Sequence, residues 1–213
     1  MHGEYRVAGS GKPMLKRGAL CVLTAMLAAV ASGAPALAGP LEDGLFYARV
    51  GDYPEALRLL TPLGEKGNPD AAFALALLYQ NGRGVRADSA AAAKWYRVAA
   101  DQGVQEAQNN LGMLYFSGDG VLKDAMEAVR WWTRAAQQGY VRSQSNLARI
   151  YYQADGVPAD YVQAYKWASL AAAKSDQDAA LILDELMPLM SPLDLAEGQR
   201  QVRAWRPALV ERL

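Results

Sequence analysis

Carboxylates recur along this chain at a fixed interval, and they are the first residues whose type could carry chemistry. Asp52, Asp88, Asp124 and Asp160 stand 36 residues apart. Two carboxylates in unlike surroundings can divide acid and base work between them. Asp155 and Asp160 could meet a cation, but the spacing of a calcium loop is absent. Gly82-x-Gly84 and Gly118-x-Gly120 look at first like phosphate loops. They follow helical patterns instead of strands and lack the Lys-Ser/Thr ending, so they read as turns. Nucleophiles and soft metal ligands are scarce: the one cysteine is Cys21 and the one histidine is His2.

The aspartates are better explained by the elements that place them. Tyr79, Tyr115 and Tyr151 keep the same 36-residue step. So do Trp95, Trp131 and Trp167, the Gly-Val pairs at 84, 120 and 156, and the alanines at 56, 92, 128 and 164. A repeat of this length is one supersecondary unit that must stack on its neighbours to bury its apolar face. Each unit reads as two helices. In the unit that starts near Asp70, a first helix runs from about Asp70 to Gln80, with Ala71, Leu75, Leu78 and Tyr79 on one face. Gly82 and Gly84 end it, because glycine accepts the left-handed backbone of a helix terminus. Asp88 then caps a second helix whose buried face is Ala92, Trp95, Tyr96, Ala99 and Ala100. Glu55, Glu127 and Gln163 follow their aspartates at capping-box spacing. Gly67, Gly103 and Gly139 close successive units. Ser191 with Pro192 opens a final helix to about Arg206, giving ten helices in all.

The front of the chain has a different character. Lys12, Lys16 and Arg17 precede an uncharged apolar run from Gly18 to Ala31, which ends in Ser32, Gly33 and Pro35. Ala36-Leu37-Ala38 is an A-x-A site, so residues 1–38 read as a signal peptide cleaved after Ala38. Cys21 and His2 leave with it. The mature part then lacks disulfides, Cys/His zinc sites, cysteine nucleophiles and any triad that needs histidine. We expect no metal, no cofactor and no catalytic residue. Of 22 basic and 22 acidic residues, the leader holds four basic and one acidic. The remainder is mildly acidic, which argues against a nucleic-acid partner.

The residues from Ala107 to Gly139 closely resemble the Sel-one-like repeat, a member of the tetratricopeptide superfamily. The matching positions are Ala107, Leu111-Gly112, Tyr115, Gly118-x-Gly120-Val121, Asp124, Ala128, Trp131, Ala135-Ala136 and Gly139. The preceding unit matches through Ala71, Leu75, Tyr79, Gly82-x-Gly84-Val85, Asp88, Ala92, Trp95-Tyr96, Ala99-Ala100 and Gly103. The unit from Arg142 departs, with Ser143, Ala148, Ala154 and Ser175 in place of Ala, Gly, Gly and Gly. The resemblance implies an all-α solenoid, a right-handed superhelix of stacked antiparallel helix pairs, and a non-enzymatic adaptor role in an envelope complex or signalling system. A cysteine-rich branch of the family is linked to β-lactam binding; without mature cysteines or an S-x-x-K motif, this chain does not fit it. The expected organisation is a degenerate pair at 41–69, repeats at 70–105, 106–141 and 142–177, and an incomplete repeat with a capping helix at 178–206, all within a domain at 39–213.

The candidate partner-binding residues lie on the first helices. Opposite the Leu75/Tyr79 face run Phe73, Leu77 and Gln80, then Asn109, Met113 and Phe116, then Ser145, Arg149 and Tyr152. Exposed aromatic, Met and Arg side chains suit an interface. Flanking Ala74, Asn110 and Asn146, and Ala76, Gly112 and Ala148, are expected to face neighbouring first helices. The stripe would then line a concave groove that binds a protein partner. Tighter curvature, burying the same residues between turns, is the alternative. Lys94, Arg130 and Lys166 form a basic ladder on the second helices and read as a solvated face. Two other functions are weighed: a hydrolase acting on cell-wall material, and a carbohydrate-binding module that stacks sugars on Phe116 and Tyr152. No integral membrane segment is expected once the leader is removed, and the expected location is periplasmic or secreted. Mass spectrometry of protein isolated from the native envelope should give Gly39 as the N-terminus. An intact N-terminus held in the membrane would refute cleavage.

Overall fold

The computed structural model describes residues 39–208. The expected leader at 1–38, with its cleavage after Ala38, lies outside the described residues. Within them, ten α-helices succeed one another and no strand occurs. They are α1 (Pro40–Val50), α2 (Tyr53–Glu65), α3 (Pro69–Asn81), α4 (Ser89–Asp101), α5 (Gln105–Ser117), α6 (Ala125–Gln137), α7 (Val141–Gln153), α8 (Tyr161–Ala172), α9 (Gln177–Leu186) and α10 (Pro192–Ala204). A 3-10 turn, Met187–Leu189, links the last two. Helices α1 to α8 pack as successive pairs, and each pair stacks on the next.

The repeated aspartates are N-caps. Asp52, Asp88, Asp124 and Asp160 each accept the backbone N–H three residues on, at 3.4, 2.9, 3.0 and 2.9 Å. The cap also closes the loop behind it. The N–H of Asp88 donates to the carbonyl of Tyr79 at 3.0 Å, that of Asp124 to Tyr115 at 2.8 Å, and that of Asp160 to Tyr151 at 3.2 Å. Capping supplies about 1 kcal/mol at each site. The reciprocal half of the capping box does not form. Glu55 and Glu127 turn to Arg58 and Arg130 on their own helices, and Gln163 donates to Gln201 at 3.0 Å. A cation one turn away competes with the backbone N–H for the carboxylate. Helix α3 begins at Pro69, one residue before the expected start, because Asn68 takes the cap position.

The second glycine of each loop is a point of contact between units. A Cβ on Gly120, where φ is +73°, would lie 2.3 Å from the carbonyl carbon of Ser89, at the start of the previous unit's second helix. At the C-terminal end of the first helices the left-handed residue is Gly82, then Gly118, then Ala154 with φ of 56°. Ser175, where earlier units have a glycine, has φ of 67°. Ala154 and Ser175 are the only described non-glycine residues at positive φ.

Another departure in the third unit is explained by packing. A Cβ on Gly112 would stand 2.5 Å from Nε1 and 2.6 Å from Cδ1 of Trp132, which is 2 % exposed. Position 112 therefore faces its own second helix, not a neighbouring first helix as expected. One repeat later the pair becomes Ala148 and Ala168, both fully buried. The large residue has shrunk and the small one has grown. Ser143, in place of alanine, is also buried, and its hydroxyl donates to Asn109 Oδ1 at 3.0 Å.

The apolar core falls into two clusters. One runs from Ala56 to Leu114 and takes in Trp131; the other runs from Ala128 to Ile182. Between α5 and α7 the contact is polar. Asn109 Oδ1 accepts from Ser143 and, at 3.2 Å, from Asn146. The amide of Gln144 donates to the carbonyl of Ala136 on α6, as that of Gln108 does to Ala100 on α4 one unit earlier. At the C-terminal end, Ser191 caps α10 as expected, but the helix stops at Ala204 instead of about Arg206. It packs on α8, with Gly198 against the ring of Tyr165. The chain then reaches α6, where the N–H of Ala208 donates to Gln137 at 2.7 Å.

Two stability outcomes follow. Gly112→Ala should cost about 1–3 kcal/mol in urea unfolding through overpacking. In a Trp132→Ala background the same change should cost clearly less, a coupling that a double-mutant cycle measures. Ala154→Gly should raise stability by about 0.5–1 kcal/mol, because it removes a Cβ from a left-handed residue; an unchanged or lower urea midpoint would refute this.

Candidate interaction surface

The nine stripe residues have three different fates. Gln80, Met113 and Arg149 are exposed; Phe73, Leu77, Phe116 and Tyr152 are half-buried; Asn109 and Ser145 are buried at 5 %. Asn109 and Ser145 therefore do not line a surface, which corrects the sequence reading. In the first two units the cause is the aromatic side chain of the second helix, which reaches across and covers much of the stripe. Ser145, whose unit has Ala168 in that place, sits instead against the N-cap of α9. Phe73 packs on Tyr96 with ring centroids 5.9 Å apart, and the Tyr96 hydroxyl donates to Gln80 at 2.5 Å. Burial pushes the pKa of Tyr96 up to about 12. The backbone carbonyl of Asn109 accepts from Trp132 Nε1 at 3.1 Å. Ser145 donates to Asp176 at 3.1 Å.

Three stripe residues converge. Met113, Phe116 and Arg149 line one cleft together with Trp132, Asn146, Ile150, Gln153 and Asp155. Its volume is about 50 Å³. Small-molecule sites run to roughly 300–1,000 Å³, so this notch suits the end of one side chain. Phe116 forms a wall buttressed by Trp132, with centroids 5.6 Å apart and planes at 49°. Asn146 holds Met113 in place through a 3.7 Å contact from Nδ2 to Sδ. The rim is charged. The Lys123 ammonium stands 5.7 Å from the Phe116 centroid, and Arg149 meets Asp178 of α9 at 3.2 Å. Both members of that pair are largely exposed, so it holds Arg149 only weakly.

Tyr152 lies apart from the notch lining. It packs on Tyr161 at 6.4 Å, and a hydrogen bond with Glu185, ahead of desolvation and nearby charge, raises its pKa. Phe73, Leu77 and Gln80 belong to the unit before. Sequence reasoning missed Trp132, Asn146, Ile150 and Gln153 as lining residues. The signal for Trp132 was present: it stands four residues from both Ala128 and Ala136, on the buried face of α6.

The basic ladder is engaged with its own helices. Lys94 lies over Trp95 at 5.6 Å, Arg130 pairs with Glu127, and Lys166 lies over Trp167 at 4.3 Å. Burial lowers the pKa of Lys166. Among the described residues, no group of His, Cys, Asp or Glu is placed to hold a metal ion. No described helix is long and apolar enough to cross a membrane.

A family model, the Sel1 repeat, matches residues 69–104, 105–140 and 141–176. The chain belongs to the Sel1 repeat family. Among solved structures, it is similar to a Sel1 repeat protein from Oxalobacter formigenes, with 31 % identity over 65 % of this chain and a TM-score of 0.61. It is also similar to a protective antigen of uropathogenic Escherichia coli strains that displays an SLR fold, with 32 % identity over 77 % of this chain and a TM-score of 0.63. The chain spans 57 % of the first protein and 37 % of the second. No curated protein matches it. Sel1 repeat proteins generally mediate protein–protein interactions, and the family typically serves as a non-catalytic scaffold.

Proposed function

We propose that this Sel1 repeat protein is an exported adaptor that holds a segment of a partner protein along its first helices, within an envelope complex or signalling system. The observation that carries the reading is the notch, which brings Met113, Phe116 and Arg149 together from two successive units. Its apolar wall is aromatic and fixed from behind by Trp132, so little side-chain freedom is lost when a partner side chain enters. Met113 supplies an exposed and adaptable edge, 43 % accessible. Arg149 and Lys123 offer cations at the rim for a carboxylate on the partner. Export rests on the sequence of residues 1–38.

Pull-down from envelope extract, followed by affinity measurement with the partner recovered, tests the site. Phe116→Ala and Arg149→Ala should each weaken binding by about thirtyfold, the loss of roughly 2 kcal/mol typical of an interface anchor. Arg130→Ala, paired with Glu127 on a second helix, should bind as wild type. Helicity by circular dichroism should stay near wild type in all three. Loss of binding in Arg130→Ala with retention in the other two would place the function on the second helices instead.

A further inference from the structure

The last first helix is left uncovered. Phe73 on α3 meets Tyr96 on α4, and Asn109 on α5 meets Trp132 on α6, so each of those first helices lies under the second helix of its own unit. Counting on by 36 from Asn109 gives Ser145 and then Leu181 on α9. Asn109 and Ser145 are 5 % exposed, whereas Leu181 is 62 % exposed. The helix that follows α9 does not cover it, because α10 packs on α8. Met187 and Leu189, at the foot of α9, are 47 and 56 % exposed. A parallel column through Ala76, Gly112 and Ala148, all buried, ends in the exposed Asp184. Among the described residues, no hydrogen bond or ion pair engages Asp184. Glu185 adds a second negative charge, and α9 contains no basic residue.

The opposite end of the stack carries the complement. Leu41, Leu45 and Ala48 of α1 pack on the core, and Gly44 is buried against Leu60. The far face of the helix presents Glu42 in its first turn and then Phe46, Arg49 and Val50 at helical spacing, with Asp43 beside Glu42. Phe46 is 47 % and Val50 58 % exposed. Arg49 is exposed and, among the described residues, has no ion-pair partner. One end thus sets an unmatched acid beside its apolar patch, and the other sets an unmatched base in the last turn of α1, about two turns from the acids of its first.

We propose that the open face of α9 receives α1 of a second copy of this chain, with Phe46 and Val50 against Leu181 and Met187 and Arg49 toward Asp184. The two patches differ, so the contact is heterologous: each copy in a pair still has one free α1 and one free α9, and copies add head to tail. Few side chains are buried, which places the contact in the weak class of interfaces. This surface is separate from the notch and does not depend on it.

Sedimentation velocity on the purified protein over a rising concentration series tests the proposal. The weight-average mass should climb with concentration and pass that of a dimer. Arg49→Glu and Asp184→Arg should each weaken association about fivefold, and the double variant should recover it by restoring opposite charges. Leu181→Asp should hold the protein as a monomer. All three positions changed are exposed, and circular dichroism should show unaltered helix content. A protein that stays monomeric throughout, a mass that stops at the dimer, or a double variant as weak as the single ones would each overturn the proposal.

Discussion

How closely one unit can approach the next sets the rest of this structure. At Gly120 the backbone of one unit lies against Ser89 and Ala90 at the start of the previous unit's second helix, with no room for a Cβ. The same approach recurs at Gly84 against Tyr53 and at Gly156 against Ala125. With the loops seated this way, the two adjacent aromatic positions of a second helix serve different neighbours. Trp95 reaches back to Gly64 on α2, and Trp131 lies under the guanidinium of Arg97 on α4. Tyr96 and Trp132, one residue further on, fold over the first helix of their own unit. One aromatic residue joins units and the next closes a unit, which is why the chain can bury a continuous core from short helices.

Most of this organisation was legible in the sequence because its carriers are residues with one structural meaning. Aspartate at a cap, glycine at a left-handed turn and a helical-period apolar face each fixed an element, and the 36-residue step fixed their order. What the sequence could not show was the reach of large side chains across a helix pair. A helical wheel puts Asn109 and Ser145 opposite the core, yet both are buried. The wheel treats a first helix as having one covered face. In this fold such a helix meets its own second helix, that of the unit before and, through Asn146 or Ser145, a neighbouring first helix. The departures at Ala148 and Ala154 were visible as exceptions, but only coordinates separate them. The first is matched by a smaller partner; the second keeps the strained backbone of the glycine it replaces.

The candidate site was legible in part for the same reason. Met113, Phe116 and Arg149 could be picked out by type and period. Their convergence depends on α5 and α7 lying side by side, a tertiary fact. The notch floor comes from α6, and the polar residues that orient Met113 belong to a network whose members look like ordinary helix-surface amides in sequence. The charged pair Arg149 with Asp178 links the rim to α9, so the last first helix helps set the electrostatics of the groove as well as ending the stack.

The division of the core has a thermodynamic consequence. A stack of units behaves as a one-dimensional series of nearest-neighbour couplings, and its cooperativity is set by the weakest of them. Here the two apolar clusters meet inside one unit: Trp131 of α6 belongs to the first and Trp132, the next residue, to the second, while Tyr115 packs on both. Coupling between units therefore passes through α6, and the hydrogen bonds from α7 to Asn109, each with a net contribution of about 1 kcal/mol, add to it. A ligand seated across Met113 and Arg149 bridges the same two units and works as a splint, tightening a coupling the core already supplies.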